Sequence, residues 1–185
     1  MTKEIKGMQK YIGWGTEENR KKDDFYATPD YVIQALLDRE KFKGKIWEPA
    51  CGDGAISKCL LKNGYDVYST DLIDRGFGDA HFNFMNCLKQ EENIITNPPF
   101  NLGTKFTIHA LNLATRKVAI FNKLSFLEGK ERRDKLFSQK HLSKVYVFSE
   151  RVSFITANNN KGGMLAFAWF VFDKNYYGDA RITFI

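Results

Sequence analysis

A glycine-rich segment that separates a short apolar run from a helical pattern is the feature that most constrains the fold. The segment reads Glu48-Pro49-Ala50-Cys51-Gly52-Asp53-Gly54; residues 45–47 precede it, and helical spacing over residues 55–62 follows it. A strand, a glycine loop and a helix in this order are typical of an open α/β sheet, whose ligand lies beyond the carboxyl ends of the strands. The loop matches neither the GxGxxG pattern of dinucleotide-binding folds nor the GxxxxGKS/T pattern of P-loops.

Strand and helix patterns continue to alternate along the chain, which predicts a mostly parallel α/β sheet with helices on both faces. A first helix would begin at Pro29, with Thr28 as its N-cap, and end near Arg39. The last two apolar runs are separated by a loop at 156–163, so we expect them to form an antiparallel hairpin at the sheet edge, with Trp169 in the core. The predicted strands are residues 45–47, 66–70, 93–96, 118–122, 145–148 and 164–172, and the other predicted helices are 55–62, 106–113 and 131–137.

Length and charge indicate one domain with a polyanionic partner. The chain has 185 residues, which suits a single domain with a sizeable core. Residues 1–24 are polar with a basic run at 20–22, and we predict a flexible basic arm there, with one domain over 25–185. The 28 Lys and Arg exceed the 22 Asp and Glu, and a net charge of +6 favours a nucleic acid among partners.

Several classes of protein are disfavoured by the sequence. Cys51, Cys59 and Cys87 lack the paired C-x-x-C spacing of zinc or redox sites, so we expect reduced thiols and no metal. The chain has no apolar stretch of about 18 residues and no apolar segment behind its N-terminal charges. We therefore expect neither a membrane span nor a signal peptide, and a cytoplasmic location.

Two polar segments follow predicted strands. Asp71 follows the strand at 66–70, where a carboxylate can accept both hydroxyls of a ribose. Asn97-Pro98-Pro99-Phe100 follows the strand at 93–96, and its prolines fix the backbone so that the Asn97 side chain and the Pro98 carbonyl converge on one point. The alternative interpretation is a set of tight turns and a strand-end acid without chemistry.

These segments together resemble a known family. The glycine loop resembles the S-adenosylmethionine loop of class I methyltransferases, and Asn97-Pro98-Pro99-Phe100 resembles the catalytic tetrapeptide of the members that methylate amino groups. The order of Tyr26-Ala27-Thr28-Pro29, the glycine loop, Asp71 and the tetrapeptide resembles phage and bacterial DNA N6-adenine methyltransferases. The resemblance spans about residues 24–174 and implies a Rossmann-like methyltransferase domain with a mostly parallel seven-stranded sheet, which binds S-adenosylmethionine.

The resemblance also implies roles for individual residues. Tyr26 and Thr28 would lie near the methionine end of the cofactor, Asp71 would hold the ribose, and Leu72 or Ile73 would pack on the adenine. Asn83-Phe84 stands where the family often has Asp-Phe, so Asn83 departs from the pattern. Asp53 is expected either beside the cofactor or as a cap of the next helix. The implied cofactor-binding residues are Tyr26, Thr28, Glu48, Pro49, Ala50, Gly52, Gly54, Asp71, Leu72, Asn83 and Phe84.

The tetrapeptide has residue types that suit methylation of an aromatic amine. Such an amine is a poor nucleophile because its lone pair is delocalised, so two acceptors must hold its hydrogens. The implied acceptors are the Asn97 side-chain oxygen and the Pro98 carbonyl. Phe100 would stack on the target base, which must first be flipped out of a duplex. The implied catalytic residues are Asn97, Pro98, Pro99 and Phe100.

Basic residues downstream of the tetrapeptide predict a phosphate-binding face. Lys123 ends a predicted strand, and Lys130, Arg132 and Arg133 follow in the next helical pattern. The alternative interpretation is a solvated helix surface.

Other functions share the tetrapeptide. Similar sequences occur in enzymes that methylate amines of RNA bases and glutamine amides of proteins, and a catalytically idle binding module would keep the same fold. The charge of +6 and Phe100 favour nucleic acid, DNA before RNA. Because no separate target-recognition domain is visible, we expect short sequence specificity, or help from a homodimer partner or an accessory recognition subunit.

Overall fold

Seven strands form one mixed sheet within the described part of the computed structural model, which covers residues 26–154 and 165–185. They are β1 (Ile46–Glu48), β2 (Val67–Ser69), β3 (Glu91–Thr96), β4 (Ala114–Lys123), β5 (Leu142–Val147), β6 (Phe167–Asp173) and β7 (Arg181–Phe184). The spatial order is β2-β1-β3-β4-β6-β5-β7. Of these strands, β6 alone runs antiparallel to its neighbours. The prediction of a mostly parallel seven-stranded α/β sheet is confirmed.

Helices cover both faces of the sheet, as expected. Within the described ranges the α-helices are α1 (Asp30–Leu37), α2 (Ala55–Lys62), α3 (Gly103–Leu113) and α4 (Lys130–Lys135). Side chains of α1 and α2 pack with Ala119 and Phe121 of β4, whereas those of α3 pack with Val118 and Ile120. Because successive side chains of a strand point to opposite faces, the continuous apolar run of β4 fills both cores.

Strand β6 is the most deeply buried part of the sheet. Its residues from Phe167 to Phe172 are all buried, because β4 and β5 flank it and both faces are covered. Trp169 has no exposed surface, and its indole N–H donates to the Val32 carbonyl of α1 at 2.8 Å. Trp169 is therefore a core residue, as predicted.

The described helices lack the length and apolar character that a membrane crossing requires.

The antiparallel part of the sheet differs in position from the prediction. The pair of β5 and β6 forms, but β6 lies between β4 and β5, and β7 is the edge strand beyond β5. Strand β7 gives little apolar signal because it is short and its side chains are mostly exposed. The expected helix at 131–137 is instead α4 followed by a short 3₁₀ turn, Phe137–Gln139. The predicted basic arm and the loop at 156–163 lie outside the described residues.

The start of α1 corrects one expectation. Pro29, not Thr28, occupies the N-cap position, and its carbonyl accepts the Val32 N–H at 3.0 Å. Thr28 has only 5% of its surface exposed, and its hydroxyl is engaged by Asn97 instead. The helix also ends at Leu37, two residues before the expected position at Arg39.

A buried carboxylate fastens the segment after α1 to the sheet. Glu40 is 2% exposed and accepts hydrogen bonds from Lys117 of β4 at 2.7 Å and from Lys144 of β5 at 2.5 Å. The Tyr146 hydroxyl donates to it at 2.7 Å. Burial alone would raise the pKa of Glu40, but these donors outweigh it and hold the pKa below its ordinary value. The cluster therefore stabilises the folded state through a charged group.

We expect Glu40→Gln to lower the free energy of unfolding at pH 7 by about 3 kcal/mol, because the partly buried ammonium groups of Lys117 and Lys144 lose their counter-charge and charge-assisted hydrogen bonds. A carboxyl group whose pKa is lower in the folded than in the unfolded state stabilises the folded state at pH values above its unfolded-state pKa. This stabilisation is lost as the pH falls through the folded-state pKa. The difference between wild type and variant, measured by urea denaturation, should therefore shrink between pH 7 and pH 3. Glu150→Gln, at an exposed position, is the control. Equal stability of the two variants would contradict the account.

Candidate functional site

One pocket at the carboxyl ends of β1, β2 and β3 brings together residues that are far apart in sequence. This is the expected position, because the three strands are neighbours in the sheet and run in the same direction. Predicted residues in its lining are Tyr26, Thr28, Glu48, Ala50, Asp53, Asp71, Ile73, Asn97 and Pro99. Residues that sequence reasoning did not assign to it are Ala27, Cys51, Ala55, Ile56 and Arg75.

Asn97 has the most informative geometry in this pocket. Its amide nitrogen donates to the Tyr26 carbonyl at 3.1 Å and to the Thr28 hydroxyl at 3.0 Å. A carbonyl can only accept, so the amide must present its nitrogen to Tyr26, and its orientation is fixed. The remaining atom, Asn97 Oδ1, is buried and has no hydrogen-bond partner among the described residues. The pocket wall thus contains a fixed acceptor that a hydrogen-bond donor of a ligand can satisfy.

Asp71 braces the glycine loop from the end of β2. One of its carboxylate oxygens accepts the Gly52 N–H at 2.7 Å, and the other accepts the Ile73 N–H at 2.9 Å. Each oxygen retains a second lone pair, so the carboxylate still has acceptor capacity for hydroxyl groups. Asp53 also behaves as expected for a residue at a helix start, because it accepts the Ala55 N–H at 3.2 Å.

Glu48 contributes a buried carboxyl group to the pocket wall. It is 1% exposed and accepts the Ser57 N–H at 2.8 Å, and the Ser57 hydroxyl donates to the same oxygen. Burial raises the pKa of Glu48 well above its usual range in spite of these donors, and the nearby carboxylate of Asp71 adds to the rise. Burial therefore favours the neutral carboxylic acid at this position.

The glycine loop is covered from outside the pocket. Gly54 has φ +83°, and a Cβ there would lie 2.5 Å from the Phe77 ring. The Gly54 N–H is already used, because it donates to the Cys51 carbonyl at 2.8 Å. Gly54 therefore makes room for Phe77 and does not line the pocket. Gly52 likewise reaches the pocket only through its bond to Asp71.

Four other expected cofactor residues do not line the pocket. Asn83 accepts the Met85 N–H at 3.1 Å and caps a 3₁₀ turn. Phe84 is 3% exposed and packs in the core, with its ring centroid 4.4 Å from that of Phe106. Leu72 is 57% exposed, and Ile73 is the member of that pair that lines the pocket. Pro49 is buried and does not line it either.

The end of the tetrapeptide borders a second pocket. The Phe100 ring lies 5.9 Å from the Tyr26 ring at an interplanar angle of 24°, and Lys123 Nζ lies 4.7 Å from its centroid. Buried Pro98 lines neither pocket. The residues that line the second pocket are Phe100, Asn101, Asn122, Lys123, Ser125, Phe126 and Arg132.

The predicted basic residues divide into two groups. Lys123 and Arg132 line the second pocket. Lys130 and Arg133 lie on the exposed side of α4, where each is paired with Asp134, at 3.9 and 2.8 Å. The described residues contain no group of three or more His, Cys, Asp or Glu side chains arranged to hold a metal ion.

No family model matches the chain. An uncharacterized RNA methyltransferase of Listeria innocua is 30% identical over 76 residues, which cover 40% of this chain and 16% of that relative. The chain therefore spans only a small part of the curated relative that it matches.

Three solved structures superpose on nearly the whole chain. A putative RNA methyltransferase of Pyrococcus horikoshii has a TM-score of 0.62 at 13% identity, covering 94% of this chain and 99% of that one. A modification subunit of a putative type I restriction enzyme from Vibrio vulnificus has a TM-score of 0.59 at 12% identity, covering 96% and 50%. Magnesium protoporphyrin IX methyltransferase of Synechocystis, with bound S-adenosylmethionine, has a TM-score of 0.53 at 14% identity, covering 94% and 92%. The chain has the class I methyltransferase fold.

The pocket residues missed by sequence reasoning come from three places. Ala27 lies between the predicted Tyr26 and Thr28, Cys51 lies within the glycine loop, and Ala55 and Ile56 begin the helix that follows the loop. Arg75 lies in the irregular segment after Asp71, where no periodicity indicates which side chains turn inward.

Of the three cysteines of this protein, we expect Cys87 alone to react quickly with a thiol reagent at pH 8. Burial, together with the charges of Glu48 and Asp71, raises the pKa of Cys51 to about 12, and burial also raises that of Cys59. Cys87 is partly exposed. Ellman's reagent should therefore titrate one fast thiol in the native protein and three after unfolding. Cys87→Ser should remove the fast phase and Cys59→Ser should not. A fast phase that remains in Cys87→Ser would mean that Cys51 or Cys59 is accessible, which would contradict the burial of these two thiols.

Proposed function

We propose that this protein transfers the methyl group of S-adenosylmethionine to the exocyclic amino group of a nucleic-acid base, N6 of adenine in DNA. The observation that carries the proposal is the fixed, buried and unpartnered Oδ1 of Asn97 in the pocket wall. The order of Tyr26, the glycine loop, Asp71 and the tetrapeptide, which resembles DNA adenine methyltransferases, supports the choice of substrate.

The chemistry of the pocket fits the cofactor. Asp71 and Asp53 offer carboxylate oxygens for hydroxyl groups and for a cationic amino acid end, and Ile56 and Ile73 offer apolar contact for a purine. Bound there, S-adenosylmethionine supplies an electrophilic methyl group on a sulfonium sulfur. Because the neutral form of Glu48 is favoured, this residue adds a hydrogen-bonding group to the pocket wall without adding a negative charge to those of Asp71 and Asp53. We therefore assign Asp71, Asp53, Glu48, Ile56 and Ile73 to cofactor binding.

Asn97 and Pro98 would activate the amine by accepting its hydrogens. When the nitrogen of an aromatic amine bonds to the methyl carbon as the sulfonium S–C bond breaks, a neutral thioether leaves, the nitrogen loses conjugation, and its hydrogens become more acidic. One of these hydrogens then leaves as a proton to solvent. Asn97 Oδ1, held by the Tyr26 carbonyl and Thr28, and the Pro98 carbonyl would hold those hydrogens and stabilise the growing positive charge. Because the orientation of these acceptors is set before the reaction, they can direct the amine toward the methyl group without a strong base to remove its proton first.

The amine belongs to a nucleic-acid base for two reasons. The net charge is +6, and Lys123 and Arg132 lie beside Phe100 at the end of the tetrapeptide. Phe100 would stack on the flipped base. RNA is the second candidate substrate, because the curated relative and the Pyrococcus structure are both named RNA methyltransferases. Protein glutamine and a binding module without activity are the alternatives that the experiment separates.

We expect the wild-type protein to transfer labelled methyl from S-adenosylmethionine to unmethylated DNA, with N6-methyladenine found by nucleoside mass spectrometry. Asn97→Ala should lower kcat about 100-fold or more, because one of two acceptors of the amine is lost. Asn112→Ala, an exposed asparagine of α3, is the matched control and should retain the wild-type rate. Label in RNA alone would support the second candidate, and no label in either nucleic acid would contradict the proposal.

Asn97→Asp provides a variant that keeps the acceptor and the size of the side chain. An aspartate cannot donate to the Tyr26 carbonyl, which would then face a carboxylate oxygen. We therefore expect a rate between those of the wild type and Asn97→Ala, with a larger share of the loss in kcat than in KM. A wild-type rate for Asn97→Ala would rule out the role of Oδ1.

A further inference from the structure

The second pocket contains a buried donor that no residue of the described structure satisfies. Asn122, at the end of β4, is 4% exposed. Its Oδ1 accepts the Lys123 N–H at 2.8 Å, and because an N–H can only donate, this bond fixes the direction of the amide. The amide nitrogen of Asn122 is buried and has no partner within the described ranges. A ligand that enters this pocket with an acceptor atom would remove the cost of that unpaired donor.

Gly103 allows the Asn122 amide to pack closely against the start of α3. Gly103 is the first residue of α3 and has ordinary helical angles, φ −48° and ψ −44°, which any residue adopts. Glycine is unfavourable in a helix, so backbone conformation does not explain its presence. A Cβ at this position would lie 2.6 Å from the Asn122 amide nitrogen. Only glycine leaves the amide in its observed orientation.

The other polar groups of the pocket are cationic. The Arg132 guanidinium lies over the Phe126 ring at 5.4 Å and donates to the Thr104 hydroxyl at 3.3 Å. Its Nε is buried and has no hydrogen-bond partner among the residues described. Lys123 lines the same pocket, and the described lining contains no carboxylate. A buried amide donor with two cations and no acid suits an anion with several acceptor oxygens.

The position of the pocket identifies which anion this is. Phe100 belongs both to the tetrapeptide and to the wall of the second pocket. An anion held here is therefore next to the base whose amine meets Asn97. In a polynucleotide, the anion nearest to a base is a phosphodiester of the same or the adjoining nucleotide.

We propose that Asn122, Lys123 and Arg132 bind a backbone phosphodiester adjoining the nucleotide that is methylated. The proposal rests on the proposed function for the identity of the polymer. It also explains the division of the basic residues, since Lys130 and Arg133 are balanced by Asp134 and face solvent. The pocket would position the flipped nucleotide without reading its sequence.

The test measures binding of a short DNA with one adenine, in the presence of a cofactor analogue that cannot transfer methyl. Asn122→Asp keeps the acceptor for the Lys123 N–H and replaces the donor by an oxygen that repels phosphate, and Arg132→Gln removes the charge. Each should weaken binding about tenfold or more. Arg132→Gln should also reduce the slope of log affinity against log salt by about one. Arg133→Gln, on the exposed side of the same helix, is the matched control.

A chemically modified DNA distinguishes direct contact with a phosphate from a purely structural role of Arg132. Uncharged methylphosphonate is placed, one position at a time, at each phosphate flanking the adenine. At one position it should weaken binding by the wild type about tenfold and change binding by Arg132→Gln much less. If no position has this effect, if both pocket variants behave like Arg133→Gln, or if the wild type binds no polynucleotide, the proposal is overturned.

The outcomes separate this proposal from the proposed function. Binding that depends on the pocket without methyl transfer would retain the phosphodiester site and refute the activity. Transfer that is unaffected by the pocket variants would retain the activity and refute the site. An RNA of the same sequence, bound more tightly than the DNA through the same residues, would support the site with RNA as its polymer.

Discussion

The hydrogen bond from the Asn97 amide to the Tyr26 carbonyl determines the chemistry available in the main pocket. Because the carbonyl can only accept, the bond turns Oδ1 of Asn97 away from the protein's own donors and leaves it buried and unpaired. The bond also ties the segment before α1 to the end of β3, residues 69 or more apart in sequence. The acceptor and the wall opposite the glycine loop are therefore set by one contact.

The two pockets share a design principle although they differ in sign. Each contains an asparagine amide that a backbone group holds in one orientation, the Tyr26 carbonyl for Asn97 and the Lys123 N–H for Asn122. In the first the free atom is an acceptor, and in the second it is a donor. An acceptor suits an amine and a donor suits a phosphate, so under the proposed function the two unpaired amide atoms would contact two parts of one nucleotide.

Sequence reasoning succeeded where chemistry follows directly from strand order. The glycine loop, Asp71 and Asn97 each end or follow a parallel strand, and β2, β1 and β3 are neighbours, so these residues had to meet. It failed where packing decides. Asn83 and Phe84 lie in an irregular segment, and the aromatic side chain found a partner in Phe106 in place of the pocket. The hydroxyl of Thr28 was assigned to a helix cap, because its bond to Asn97 spans 69 residues. Asn122 gave no signal, since a buried unpaired donor is recognisable only once its neighbours are known.

The central claim is that Asn97 Oδ1 and the Pro98 carbonyl accept the hydrogens of the amine that is methylated. A crystal structure of the protein with sinefungin, which cannot transfer methyl, and a DNA containing a flipped adenine tests this directly. The account predicts adenine N6 at about 3 Å from both oxygens. An adenine amine that contacts neither oxygen, with sinefungin bound in the pocket beside Asp71, would contradict it.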